Sequence, residues 1–227
     1  MTRAVRGCLA VLLGLTVLGP TLLAADGSAV RIGILVPMEG PDQARGAAVL
    51  RGVEGAVSQW KRDHSEAAAQ PSTRVIPAQL RWGAQTDALV GAVFDDRAMV
   101  IIGAADPRTA HLAAQVVTRL KGSALLVSLS QDPTLTEIGV PWILRFPAFD
   151  FVADVSRGKG HGDDPSLKSL EAAAHDAAQA VLAATGVCGS DIDGIRAFLS
   201  AHHFQGRTGS FTFDAQGNRT PAKPSLK

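Results

Sequence analysis

The 227-residue sequence contains no tyrosine, and aromatic residues make up only 5% of it. A surface built for stacking bases is therefore not expected. Charge of one sign is also lacking: 22 Lys and Arg stand against 21 Asp and Glu, for a formal net charge of +1. The basic residues form no stripe, which excludes nucleic acid as a partner. Cysteine is nearly absent, with only Cys8 and Cys188. Cys8 lies within an N-terminal leader, so a mature chain would keep Cys188 alone, as a partly buried thiol at a helix end. One cysteine makes no internal disulfide and no cysteine-pair zinc site.

Long apolar runs are missing except at the start. Arg3 and Arg6 precede Leu9–Leu23, an apolar run interrupted by Pro20 and followed by "TLLAADGSA". This is the layout of a secretory signal peptide cut after Ala24 or Ala25, and residues 1–25 are assigned to it. The run is short for a membrane span. The remainder, hydrophobic and charged in ordinary proportions, has material for one core.

Strand and helix patterns alternate along that remainder. "VRIGILVP" (Val30–Pro37) reads as a strand buried on both faces. After the loop "MEGPDQARG", Val49, Val53, Ala56, Val57 and Trp60 recur at helical spacing, with Arg51, Glu54 and Lys61 off the stripe. "VIPAQLRW" (Val75–Trp82) is a second strand, placed near an edge because Pro77 has no N–H. Thr86 is expected to cap a short helix reaching Phe94. "AMVII" (Ala98–Ile102), "ALLVS" and "WILRF" (Trp142–Phe146) read as three more strands. A helix between the first two of these faces inward with Leu112, Ala113, Val116, Val117 and Leu120. The pattern predicts an α/β fold: a single Rossmann-like lobe with a mostly parallel sheet of about five strands and helices on both faces.

After Phe146 the pattern changes. "SRGKGHGDDPS" is a polar connection. A strong helix follows, with Leu167, Leu170, Ala174, Ala177, Ala178 and Val181 on one face and Gly186 as its expected stop. Asp191 or Ser190 caps a further helix through Leu199. "GRTGSFTFDAQGNRT" reads as an extended segment and a Gly-Asn turn, and residues 220–227 as a flexible tail.

Ligands in parallel sheets sit beyond the carboxyl ends of the strands. Three loops lie there: Pro37–Gln43, Gly103–Thr109 and Ser128–Asp132. They supply the candidate ligand-binding residues Glu39, Ala105, Asp106, Arg108, Thr109, Ser128, Ser130 and Gln131. Catalytic residues, metal ligands and cofactors are assigned to none. Gly158–Gly162 lacks the strand and the Gly-Lys-Ser/Thr ending of a phosphate loop. His161, Asp163 and Asp164 read as a solvated turn. Glu171 and His175 have a ligand spacing but no second pair, so His175 reads as exposed or locally paired. His202 and His203 are adjacent and cannot easily face one metal. Neither a Gly-x-Ser-x-Gly elbow nor His-Glu-x-x-His occurs, and an enzyme is not expected.

Several of these stretches resemble the branched-chain amino-acid-binding proteins, the type I periplasmic receptors of ABC importers. "RIGILVPMEGPDQARGAAVLRGVEGAV" is similar to their opening, "VIIGAADPRTAHLAAQVV" to their third strand and ligand loop, and "LLVSLSQDPTLTEIGVPWILRF" to the next strand, ligand loop and hinge approach. "FVADVSRGKGHGDDPSLKSLEAAAHDAAQAV" and "GRTGSFTFDAQGN" resemble later segments. The resemblance implies a single lobe over residues 26–219, with the second lobe missing and the junction near 147–149. It implies periplasmic location, a small polar ligand (an amino acid or amide) bound weakly, and an ABC permease or another periplasmic protein as partner. A homodimer through the exposed cleft face is a further expectation. The alternative is an accessory protein, or a degenerate remnant, that no longer captures an amino acid.

The ligand chemistry departs from the family. A serine hydroxyl and backbone N–H groups in the third-strand loop receive the amino-acid carboxylate there. This loop instead has Asp106, a like charge, and Pro107, which offers no N–H. The pair is equally a good helix cap and first helical residue. In the next loop Ser130 and Gln131 fall where the family has small and hydroxyl residues.

Overall fold

A computed structural model describes residues 29–67, 70–79, 81–148 and 165–221. The proposed signal peptide, the Gly158–Gly162 stretch, His161, Asp163 and Asp164 lie outside the described residues.

Five strands form one parallel sheet in the order β2-β1-β3-β4-β5: β1 (Arg31–Val36), β2 (Ser72–Pro77), β3 (Val100–Gly103), β4 (Leu125–Ser128) and β5 (Ile143–Arg145). The alternation of side chains separates two cores. Ile32, Ile34, Val100, Ile102, Leu125 and Val127 point to one face. Leu35, Ile101, Leu126 and Ile143 point to the other. Helices α1 (Gln43–Asp63), α4 (Pro165–Cys188) and α5 (Ile192–Ala201) cover the first face. Helices α2 (Trp82–Phe94) and α3 (Pro107–Arg119) cover the second. This is the expected α/β lobe with helices on both faces. Among the described residues no helix is long and apolar enough to cross a membrane.

Strands β6 (Phe204–Gly206), β7 (Gly209–Phe213) and β8 (Arg219–Pro221) form a separate antiparallel meander. Phe211 is buried against Phe146, edge to face, with ring centroids 4.8 Å apart. A bridge between Arg145 and Asn218 joins the meander to the edge of β5.

Four sequence expectations need correction. The second strand is Ser72–Pro77 rather than Val75–Trp82, because pairing with all of β1 sets its start at Ser72. It is at the sheet edge, as Pro77 required. Helix α2 begins at Trp82, ahead of Thr86: the Gln85 side-chain oxygen accepts the Gln79 N–H at 2.8 Å and fixes an earlier entry. Helix α4 runs through Gly186 and stops at Gly189, whose φ of +60° ends the helix while its N–H donates to Thr185 O at 2.9 Å. A Cβ on Gly186 would meet nothing within 4 Å, so the glycine there costs only helix propensity. The single extended segment near the C-terminus is three strands, and Thr220 and Pro221, read as tail, belong to β8.

Candidate functional site

The carboxyl ends of β1, β3 and β4 open on one side of the sheet, and the loops there are shaped by the backbone. Gly103 has φ of +139°, and a Cβ on it would fall 2.1 Å from Leu35 O, so only glycine can make this exit from β3. Ala104 follows with φ of +50°, a strained value for a residue with a side chain. Two bonds hold it there: its N–H donates to Leu35 O at 2.9 Å, and Ser128 Oγ donates to its carbonyl at 3.1 Å. The chain is then turned so that α3 starts at the mouth of the sheet.

Both loops carry an Asp-Pro pair used in the same way. Asp106 accepts the Thr109 N–H at 2.8 Å and caps α3, with Pro107 as the first helical residue. Asp132 accepts the Thr134 N–H at 3.0 Å and its hydroxyl at 2.8 Å, and caps the short 3-10 turn Pro133–Thr136. Asp132 Oδ2 also lies 2.9 Å from His111 Nε2. The His111 bond first, then those from Thr134, hold the Asp132 carboxyl down at about 2. Each loop thus places its own carboxylate where a helix N-terminus would otherwise attract an external anion.

Between these loops, α1 and the first turns of α4 lies a cavity of about 190 Å³. It is lined by Arg45, Ala105, Pro107, Leu129, Gln131, Ala148, Ser166, Leu167 and Leu170. A smaller hollow beside it shares Arg45 and Ala105 and includes Asp106. Of the sequence candidates, Ala105 and Gln131 stand on the cavity wall and Asp106 on the adjoining hollow. Glu39 and Arg108 are exposed and on neither wall. Thr109, Ser128 and Ser130 are buried. Ser128 Oγ accepts the Ser130 N–H at 3.2 Å, and Ser130 Oγ accepts the Asp132 N–H at 3.2 Å, so both hydroxyls shape the loop.

Sequence reasoning missed Arg45, Leu129, Ala148, Ser166, Leu167 and Leu170. Arg45 could have been found, since it lies in the first turn of a helix that starts at the mouth of β1. Leu167 and Leu170 have the helical spacing of core residues, which conceals their place on the wall. Among the described residues no group of three His, Cys, Asp or Glu could hold a metal ion. Glu171 is taken by Arg51, whose Nε donates at 2.8 Å. His175 is not exposed: it is 5% accessible and packed between Gln59 and Asp176. His202 stacks on Phe198. Cys188 is a half-buried free thiol ending α4, and burial pushes its pKa up, away from reactive thiolate.

No protein-family model matches the chain, and no curated protein matches it. Solved structures do. LivJ, the branched-chain amino-acid transporter substrate-binding protein of Streptococcus pneumoniae solved with isoleucine, aligns with a TM-score of 0.66 at 13% identity, covering 86% of this chain and 96% of that one. The leucine-binding protein LivK of Thermotoga maritima aligns at 0.63 and 12%, covering 84% and 93%. A solute-binding protein of an R. palustris ABC transporter, solved with benzoate, aligns at 0.67 and 11%, covering 85% and 91%. These neighbours are solute-binding proteins rather than enzymes. The chain has the fold of the type I periplasmic binding proteins, the substrate-binding components of ABC transporters.

Proposed function

We propose that the chain is an exported solute-binding-type protein of one lobe, and that its carboxyl-end cavity favours a small carboxylate with an apolar body over a free α-amino acid. The wall of that cavity carries this reading. Among the described residues, six of the nine on the wall are apolar, Arg45 is the one charged group, and none is a carboxylate. An apolar body can rest on Leu129, Leu167 and Leu170 while its acid turns to Arg45. An α-ammonium group would meet no counter-charge among these residues and would trade its water for the neutral groups of Gln131 and Ser166. The amino-acid carboxylate fares no better at α3, where Asp106 already holds the Thr109 N–H. The benzoate-bound neighbour supports the same chemistry, and the isoleucine-bound one supplies the competitor to test against.

The one-lobed reading rests on the resemblance of the stretches through Phe146 and from Phe151 onward to two parts of one lobe, with the junction near 147–149. Export rests on Arg3, Arg6 and the apolar run, and the intact mass of periplasmic protein tests it.

The deciding experiment is thermal melting with leucine, isoleucine, valine, benzoate and 4-hydroxybenzoate. A ligand at ten times its dissociation constant adds about 1.4 kcal/mol, or roughly 3–6 °C for a domain of this size. Benzoate should raise the melting temperature, leucine should not, and Arg45→Met should abolish the benzoate shift. A shift with leucine and none with benzoate would overturn the proposal.

A further inference from the structure

The Gly-Asn turn that the sequence singles out lies outside the cavity, yet its side chain reaches the loop that shapes it. Gly217, at φ of +87°, lets the turn press against β5, where a Cβ would fall 2.8 Å from Ile143 O. Its carbonyl accepts the Arg145 N–H at 2.8 Å, which closes the outer edge of the sheet. Asn218 is thereby set beside Arg145. Its Oδ1 accepts Arg145 Nε at 2.8 Å and the Thr136 hydroxyl at 2.6 Å. Its own N–H donates to Asp214 Oδ1 at 2.8 Å, and its Nδ2 to Asp214 Oδ2 at 3.2 Å, so the amide cannot rotate freely. Arg145 in turn donates from Nη1 to Gln131 O at 3.1 Å.

We infer that Asn218 is a positioning residue of the cleft: one carboxamide oxygen holds both ends of the loop after β4, through Arg145 at Gln131 and directly at Thr136. Gln131 is the residue of that loop's outer part that stands on the cavity wall. Cleft shape and ligand preference then depend on a residue 82 positions away from Thr136 in the chain and off the cavity wall. The functional consequence rests on the carboxyl-end cavity being the working site; the positioning itself does not.

Hydrogen exchange of the ligand-free, full chain therefore tests it. Asn218→Ala should speed exchange about tenfold in both 129–132 and 134–138. Arg145→Met should speed 129–132 and leave 134–138 near the unmodified rate, because the Thr136–Asn218 bond survives. Helix α1 (Gln43–Asp63) and β3 should keep their rates in both variants. Unchanged exchange in the loop of Asn218→Ala would overturn the inference, as would an equal rise in loop and core, which would mark simple loss of stability. Benzoate titration of the same variants is a separate arm. If the unmodified chain ignores benzoate, the carboxylate reading fails while the exchange result still stands or falls on its own.

Discussion

Asp176 lies at 2% exposure in the middle of α4, and its carboxylate is the anchor of the β6–β7 hairpin. It accepts the Arg207 N–H at 2.9 Å, the Thr208 N–H at 2.7 Å and the Thr208 hydroxyl at 2.6 Å. Burial by itself pushes this carboxyl up, but the bonds from His175, Thr208 and Arg207 together outweigh it and hold the value below the ordinary one. In Asp176→Asn one oxygen must serve donors that two served before, and an NH₂ group faces backbone N–H groups. A buried donor left unpaired costs about 1–3 kcal/mol, and charge-assisted bonds are lost besides. The sum is on the order of 2–4 kcal/mol, or about 4–16 °C in melting temperature at this chain length. The pH dependence has a definite sign. The folded value is depressed, so the contribution is present above the unfolded value near 4 and is lost as pH falls through the folded one. Circular-dichroism melts from about pH 7 down to about pH 3 should therefore show the unmodified protein losing stability below pH 4 and Asp176→Asn losing less of it. A variant melting within about 2 °C of the unmodified protein at pH 7, or a steeper acid limb in the variant, would refute the anchoring role.

Two further outcomes are expected. Gly52→Ala would bring a Cβ 2.3 Å from Glu171 O and 2.8 Å from the Ala174 Cβ where α1 and α4 cross, so it should lower the urea midpoint by the equivalent of about 1–3 kcal/mol; an unchanged midpoint would mean the helices are not in this contact. The Asp132 carboxyl should titrate near 2 in a carbon-detected NMR series and move up in His111→Ala, contributing stability above about pH 4 that is lost as pH falls through 2; a midpoint near 4 in the unmodified chain would remove the His111 bond from the site.

What the sequence disclosed and what it hid have separate physical causes. Strands β1, β3 and β4 were legible because both faces are buried, and such strands are continuous apolar runs. The Asp106–Pro107 cap was legible because capping is local chemistry. Helix α2 was misplaced because its entry is set by Gln85 reaching back to Gln79, a side-chain bond without a pattern. Gly186 was mistaken for the stop because two glycines stood three residues apart and only one adopts positive φ. The cavity wall was hidden for a different reason. Leu167 and Leu170 have the spacing of core residues, and Leu170 is indeed buried; that they also face a hollow depends on where α4 begins relative to α1. Asn218 could not be assigned at all, since its partners Thr136 and Arg145 come from distant elements.

On the proposed one-lobed reading, the cavity meets its ligand from one side, and that limits affinity. A small aromatic acid could lay on the order of 100 Å² of apolar surface on Leu129, Leu167 and Leu170, worth about 2.5 kcal/mol. An exposed ion pair with Arg45 adds about 1 kcal/mol at most, and Arg45 already has Asp42 at 3.8 Å to share it with. The total is about 3.5 kcal/mol, short of the 4.1 kcal/mol that corresponds to a dissociation constant of about 1 mM. Micromolar capture needs about 8.2 kcal/mol, so more than half of it would have to come from a second covering surface. A second copy of the chain or a permease could provide one. Calorimetric titration of the monomer with benzoate should accordingly give a dissociation constant of about 1 mM or weaker, and the affinity should rise with protein concentration if a second copy closes the cleft. Micromolar binding by a protein that sediments as a monomer would refute the one-sided site, because no wall described for it could supply the missing energy.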